Sequence, residues 1–386
     1  MRRSTEQILS SHIGSLPRTA EAFEVLEKRN GGGEVSDAEF EAVVAKAVDE
    51  VVHRQADAGV TVVNDGEQSK WAYMAYVRDR LAGFELRALP FDGPLRPALA
   101  AEAVDFPDYY QHWSYAEGSA SLRSHACTGP VSYAAMAEVR RDIQNLSQAA
   151  EGLDIRDLFM TAISPAMVWS TPNEHYPDQD SYRHAICDAL AEEYAAITAA
   201  GIVVQIDCPD LGILLRSVPG MSLEQCHALM KANIEGLNHA TRDIDPDMMR
   251  IHVCYGADEA PHNRDPELRD IVEVLLTARP NGLTIVGANG RHEHEYAVWR
   301  DVRVPDGKVI MPGVIDSTTN IVEHPDLVAE RIVRHAEILG RENVIAGVDC
   351  GLDTIAGVHQ VDPEVAWAKL ASLGEGARRA TATLWR

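Results

Sequence analysis

The chain has 386 residues, with 35 basic against 59 acidic residues and a net charge of -24. That balance opposes binding to nucleic acid or to an anionic membrane surface. No apolar run reaches eighteen residues and Met1-Arg2-Arg3-Ser4-Thr5-Glu6 has no apolar stretch behind it, so a cytoplasmic protein with no membrane partner is expected.

In chain order, apolar β-branched runs that end in Gly, Asp, Pro or Cys recur. They are 12–15, 60–67, 126–130, 159–165, 202–209, 250–256, 283–289, 309–317 and 344–352. Helical patterns lie between them at 37–58, 133–149, 180–200, 223–241, 265–278, 326–339 and 363–384. Regular strand–helix alternation predicts a parallel α/β fold. The number of candidate strands is close to that of a (β/α)8 TIM barrel, with one left over as an accessory. The barrel is preferred to a doubly wound sheet because polar residues capable of chemistry end nearly every strand, where barrel enzymes assemble their sites. A single barrel domain over 1–386 follows, interrupted by a Pro-, Asp- and aromatic-rich insertion at 87–124 that reads as a lid or as the contact of a homo-oligomer. No Gly-x-Gly-x-x-Gly follows an early strand and no phosphate loop is present, so a nucleotide cofactor is not indicated.

Six cysteines in a large chain without a signal peptide read as reduced thiols or metal ligands. Cys127, Cys187, Cys208 and Cys226 read as packed side chains. His252-Val253-Cys254 and Asp349-Cys350-Gly351 differ from these, because each places soft ligands at the end of an apolar run. On a strand, residues i and i+2 share a face, so His252 and Cys254 point the same way and Cys350 joins them from another strand. Two thiolates and an imidazole with one position open form a zinc site suited to activating a thiol. The competing reading is a set of buried small hydrophobes with a hydrogen-bonded core histidine.

Five ordered strings then carry a resemblance. Ser11 to Arg18, Asn64-Asp65-Gly66-Glu67, Gln205 to Pro209, His252 to Tyr255 and Asp349 to Leu352 occur in the order seen in cobalamin-independent methionine synthase. The chain resembles that family's C-terminal catalytic barrel over nearly its whole length, and especially its short single-barrel branch. The resemblance implies Zn2+ on His252, Cys254 and Cys350. It implies homocysteine held at Ile13, Gly14 and Ser15 through its carboxylate, and at Glu67 and Asp207 through its ammonium group. The expected activity is a thiol S-methyltransferase that presents an amino-acid thiol as a zinc thiolate to a methyl donor.

Two departures from the family pattern stand out. Val286 occupies the place of the family's fourth ligand, a glutamate, leaving water or a nearby carboxylate such as Glu293 or Glu295 to substitute. Asp316-Ser317-Thr318 lacks the histidine that would protonate a folate leaving group, with His292, His294 or His324 as stand-ins. A donor that needs no such proton, a sulfonium, a methylated corrinoid or a corrinoid protein, fits this pattern better than methylfolate. His292 and His294 read as a network behind the metal ligands, and Trp169 and Tyr255 as core or pocket wall. Two alternatives remain: epoxide opening in the manner of epoxyalkane:coenzyme M transferase, and a non-catalytic zinc- or thiol-binding barrel.

Overall fold

The computed structural model describes residues 1–87, 99–112 and 124–386. Ten strands are present among them: β1 (Leu9–Ser10), β2 (Val62–Val63), β3 (Leu81–Arg87), β4 (Ser124–Tyr133), β5 (Asp157–Ile163), β6 (Val203–Asp207), β7 (Met249–Val253), β8 (Gly282–Ile285), β9 (Val309–Ile315) and β10 (Ile345–Val348). Eight of them form one parallel sheet in the order β1-β10-β9-β8-β7-β6-β5-β2. The two ends of that sheet meet. Thr61 N donates to Ser10 O at 3.2 Å, and Ser10 N donates to Thr61 Oγ1 at 2.8 Å, so a threonine side chain stands in for ladder bonds at the seam. The result is a (β/α)8 TIM barrel.

Period-two alternation splits the apolar residues into two cores. Leu9, Val62, Phe159, Val203, Val309, Met311 and Ile345 fill the barrel's interior. Their neighbours along each strand, such as Ile251, Leu283, Ile310 and Ala346, face the helices and join the larger outer core. Above the inner apolar layer sits buried Arg250, stacked 3.7 Å over Phe159, with Nε donating to Gln205 at 2.8 Å and Nη2 to the His12 carbonyl at 2.9 Å. The C-terminal mouth lies one row further up.

The helices begin where capping residues predict. Ser36 caps Asp37–Asp57, Asp178 caps Gln179–Ala199, Ser222 caps Leu223–Ala240 in a reciprocal capping box with Gln225, and Asp362 caps Pro363–Leu384.

Two expectations shift. The first barrel strand is Leu9–Ser10, and 12–15 forms a mouth loop instead, because Gly14 at φ 129° breaks the extended run. The surplus strand is 126–130. It belongs to β4, which pairs antiparallel with β3 in a ribbon separate from the barrel sheet. The ribbon carries an irregularity at Gly83, where a side chain would stand 2.6 Å from the Pro130 carbonyl. Within the insertion expected at 87–124, residues 88–98 and 113–123 lie outside the described residues. The described part forms two short helices, Ala100–Asp105 and Pro107–His112.

Candidate active site and metal centre

Register places Asp207, His252 and Thr284 side by side across β6, β7 and β8 at the mouth. His252 is buried, and its Nδ1 lies 2.9 Å from Thr284 Oγ1. With Nδ1–H donating to that hydroxyl, the Nε2 lone pair is left for a ligand. Cys350 Sγ lies 3.6 Å from Nε2, and Cys254 Sγ lies 3.2 Å from Cys350 Sγ. The three ligand atoms fall within 4.8 Å of one another, the one such cluster of three or more His, Cys, Asp or Glu among the described residues. Hydrogen bonding with Cys350 holds the Cys254 thiol well below the usual range against the effect of burial, and the same contact pushes Cys350 well above it. Gly256 N–H also donates to Cys254 Sγ, at 3.2 Å. This pair and the oriented imidazole could hold a soft divalent metal ion.

Asp349 orders the far side of the cluster. Its Oδ1 accepts the backbone N–H groups of Gly287 and Ala288 at 2.8 and 2.9 Å, and Oδ2 accepts that of Asn289 at 2.8 Å. The residue before Cys350 therefore pins the loop that follows β8, immediately past Val286. Val286 is buried in the outer core and offers no ligand atom.

Neither candidate substitute carboxylate joins the cluster of His252, Cys254 and Cys350. Glu293 is held by Arg331 and Arg334 of the helix Pro325–Leu339, at 3.1 Å each. Glu295 bonds Leu268 N–H at 2.7 Å and His292 Nδ1 at 2.8 Å. The histidines proposed as proton donors are likewise elsewhere. His292 is buried between Glu295 and Asp265 and packs on the Tyr255 ring, with centroids 4.7 Å apart, so it backs the residue after Cys254 rather than a ligand itself. His294 and His324 are exposed, and His324 caps a helix.

The other predicted residues gather beside the cluster. Ser15 abuts Gly351, where a side chain would stand 2.0 Å from Ser15 Oγ, and Ser15 O accepts Leu352 N–H at 3.1 Å. Gln205 Nε2 bridges the Ile13 carbonyl and Asp207 Oδ1. Burial pushes the Asp207 carboxyl up to about 7, with Glu67 adding to the rise and His252 opposing it. Gly14 lies against Glu67, Asn64 and Thr161. Glu67 is a non-glycine residue at φ 57°, a conformation that costs free energy and clusters at functional sites. Its Oε1 accepts from Thr161 Oγ1 at 2.7 Å, while its buried Oε2 has no hydrogen-bond partner among the described residues and has Arg18 Nη2 3.7 Å away.

Arg18 is thus ion-paired with Glu67 and also, at 3.7 Å, with Asp353 Oδ2. Arg18 donates to the carbonyls of Leu16, Lys70 and Asp353, and Lys70 Nζ donates to Thr161 O and Oγ1. Sequence reasoning missed Thr161 and Thr284, whose only signal is that each lies in a strand beside a site residue. Trp169 is a core side chain under the helix Leu223–Ala240, packed on Gly236, and Tyr255 is fully buried. Cys127, Cys187, Cys208 and Cys226 are buried and packed as expected.

Fold and site together define a (β/α)8 barrel whose mouth combines a cluster of two thiols and an imidazole with a pair of buried carboxylates. The chain belongs to the cobalamin-independent synthase catalytic-domain family, whose profile matches residues 8–90 and 98–369. It is 24% identical over 379 residues to YxjH, an uncharacterised protein of Bacillus subtilis, with 94% of this chain and 91% of that one covered. Identity to the methionine synthase of Saccharolobus solfataricus is 23%, covering 95% and 92%. Identity to the 5-methyltetrahydropteroyltriglutamate–homocysteine methyltransferase of Haemophilus influenzae is also 23%, over 92% of this chain but only 41% of the longer enzyme. Among solved structures, the B12-independent methionine synthase of Shewanella sp. W3-18-1 superposes with a TM-score of 0.71 at 17% identity, covering 98% and 99% of the two chains. That similarity establishes a shared fold.

Proposed function

We propose that this chain is a zinc-dependent thiol S-methyltransferase of methionine synthase type, acting on homocysteine or a related amino-acid thiol. The carrying observation is the convergence of His252 Nε2, Cys254 Sγ and Cys350 Sγ at a mouth that also holds buried Glu67 and Asp207. The donor set fits zinc, because Thr284 occupies His252 Nδ1 and leaves Nε2 toward the two sulfurs, and the contact with Cys350 holds the Cys254 thiol below its usual range. Zinc bound there would supply a Lewis acid that lets a thiol lose its proton near neutral pH.

The chain's own residues do the rest. Glu67 and Asp207 take the ammonium group, and the Ile13–Ser15 loop beside Gly351 receives the carboxylate end. The substrate sulfur is thereby aimed at the methyl carbon. The sulfur–carbon bond forms as the donor–carbon bond breaks, and the electron pair leaves with the donor. His292 is held by Glu295 and Asp265, and His294 and His324 are exposed, which supports a donor that departs without a proton, a sulfonium or a methylated corrinoid, over methylfolate.

A second reading, epoxide opening by a sulfonate thiol, is favoured by Val286 in place of a carboxylate ligand. It is opposed by the acid pair and by the engagement of both nearby cations, Arg18 with Glu67, Asp353 and backbone carbonyls, and Lys70 with Thr161.

Metal analysis and methyl transfer from a panel of donors test the proposal. Cys254→Ser and Cys350→Ser should each abolish stoichiometric zinc and activity. Zinc-edge X-ray absorption should show a new sulfur bond with homocysteine and none with coenzyme M. A zinc-free protein whose variants behave as wild type would sink the proposal.

A further inference from the structure

Behind the loop that carries Cys254 lies a charged cluster that the proposed chemistry does not use. Its centre is Arg216, in the turn of helix Leu214–Ser217 that follows β6, with a fully buried side chain. Nη1 donates to the Tyr255 carbonyl, and Nη2 donates to Asp258 Oδ1 at 2.8 Å and to Glu102 Oε2 at 3.1 Å. Nε stands 3.4 Å from Asp265 Oδ1. Three carboxylates from two separate stretches of chain thus converge on one guanidinium, while the guanidinium itself holds the backbone next to Cys254.

Gly256 shows how tight this is. At φ 104° its missing side chain leaves space that Asp258 Oδ2 and Arg216 Nη1 occupy, 2.6 and 2.7 Å from where a Cβ would be. The N–H of the same glycine donates to Cys254 Sγ. The guanidinium therefore bears on a peptide whose other face touches a ligand sulfur.

Glu102 comes from the insertion, on the helix Ala100–Asp105, and is fully buried. Tyr110 of the next helix donates to its Oε2 at 2.6 Å. A second strap joins the same two regions: Asp105 receives Arg264 Nη2 at 2.6 Å and Asn263 Nδ2 at 2.7 Å. Burying a glutamate is costly unless it is paired, so its placement here, where one partner is also the anchor of the Cys254 loop, sets the position of both.

We propose that Arg216 and Glu102 form a clamp that holds the Cys254 loop in metal-binding geometry, so that segment 99–112 is a working part of the metal centre. Both are positioning residues, acting through Tyr255 and Gly256. The inference rests on the zinc reading above.

The test uses the full chain, Zn2+ in competition with a chromogenic chelator, and the thiolate-to-metal absorption of the Co2+ form. Glu102→Gln keeps the shape and removes the charge, and Arg216→Lys keeps the charge and removes the fork. The comparison variant is Asp142→Asn, which breaks a pair at another buried guanidinium, that of Arg80, whose ion-pair partners are Asp142, Glu193 and Glu138 and not the Cys254 loop.

Glu102→Gln and Arg216→Lys should each lower zinc affinity by ~10–100-fold and shift the Co2+ bands. Asp142→Asn should lower the unfolding midpoint and leave both metal readouts at wild type. Should Arg216→Lys not fold, the isosteric Glu102→Gln decides. Wild-type affinity and spectrum in Glu102→Gln overturn the inference alone, as does an equal loss of affinity in Asp142→Asn. A wild-type chain that takes up no zinc overturns the zinc reading and this inference with it.

Discussion

Gly212→Ala offers a direct test of the proposed metal centre from a residue outside the His252–Cys254–Cys350 cluster. Gly212 follows the turn Pro209–Leu211 with φ -111° and ψ -38°, a conformation alanine adopts without strain. A Cβ there would lie 2.3 Å from the Cys254 carbonyl oxygen, 2.6 Å from Tyr255 Cδ1 and 3.0 Å from the Cys254 carbonyl carbon. The nearest neighbour is backbone, so no rotamer change relieves the overlap. Reaching an ordinary contact of about 3.5 Å requires the two segments to part by roughly 1 Å. A metal site tolerates ligand displacements of only about 0.2 Å, so Cys254 should be drawn out of position.

Overpacking of this kind costs about 1–3 kcal/mol of stability. Zinc affinity should fall by ~10–100-fold, as it does when the support of a ligand is disturbed. Chelator competition measures the affinity, urea unfolding the stability, and Gly290→Ala, where a Cβ meets nothing within 4 Å, serves as the neutral control. A Gly212→Ala protein with wild-type zinc affinity and an unchanged Co2+ spectrum would refute the reasoning.

Two further outcomes are expected. Thr161→Val removes the hydroxyl that donates to Glu67 Oε1, leaving a buried carboxylate whose other oxygen already lacks a hydrogen bond among the described residues. The loss of about 1–3 kcal/mol should raise KM for an amino-acid thiol by roughly tenfold or more with zinc content unchanged; an unaltered KM would count against Glu67 as the ammonium acceptor. Burial alone would lower the His292 pKa, but Asp265 and Glu295 outweigh it and raise it from 6.5 to about 9. A pKa raised on folding stabilises the fold fully below about 6.5, and that contribution is lost as pH rises through about 9. The shift corresponds to about 3 kcal/mol, so the stability gap between wild type and His292→Gln should narrow by about that much between pH 6.5 and pH 10. A gap independent of pH in denaturant unfolding would show that the imidazolium is not what the two carboxylates hold.

Much of the barrel was legible because its determinants are local. Capping residues such as Ser36, Asp178 and Ser222 mark helix starts, and apolar runs ending in Asp or Cys mark where β6 and β10 reach the mouth. The β3–β4 ribbon was not legible as such. Its partners lie on either side of the insertion, and a pairing across that distance leaves no periodic signature. Glu293 shows the limit for site residues. By type and position it is a plausible ligand, yet Arg331 and Arg334, on a helix far along the chain, claim it.

Sequence by itself determined which residue types stand at the ends of β7 and β10, His252, Cys254 and Cys350, their order along the chain, and that position 286 is a valine, because these are properties of residue identity and spacing. Tertiary structure alone decided which groups support them. Thr284 orienting His252, Thr161 steadying Glu67, Asp349 pinning the loop beyond Val286 and Arg216 bracing the Cys254 loop are all contacts between segments distant in the chain. Hydrogen bonds reach about 3 Å, and only the pairing of neighbouring strands and the packing of the loops at the mouth bring those segments within that reach.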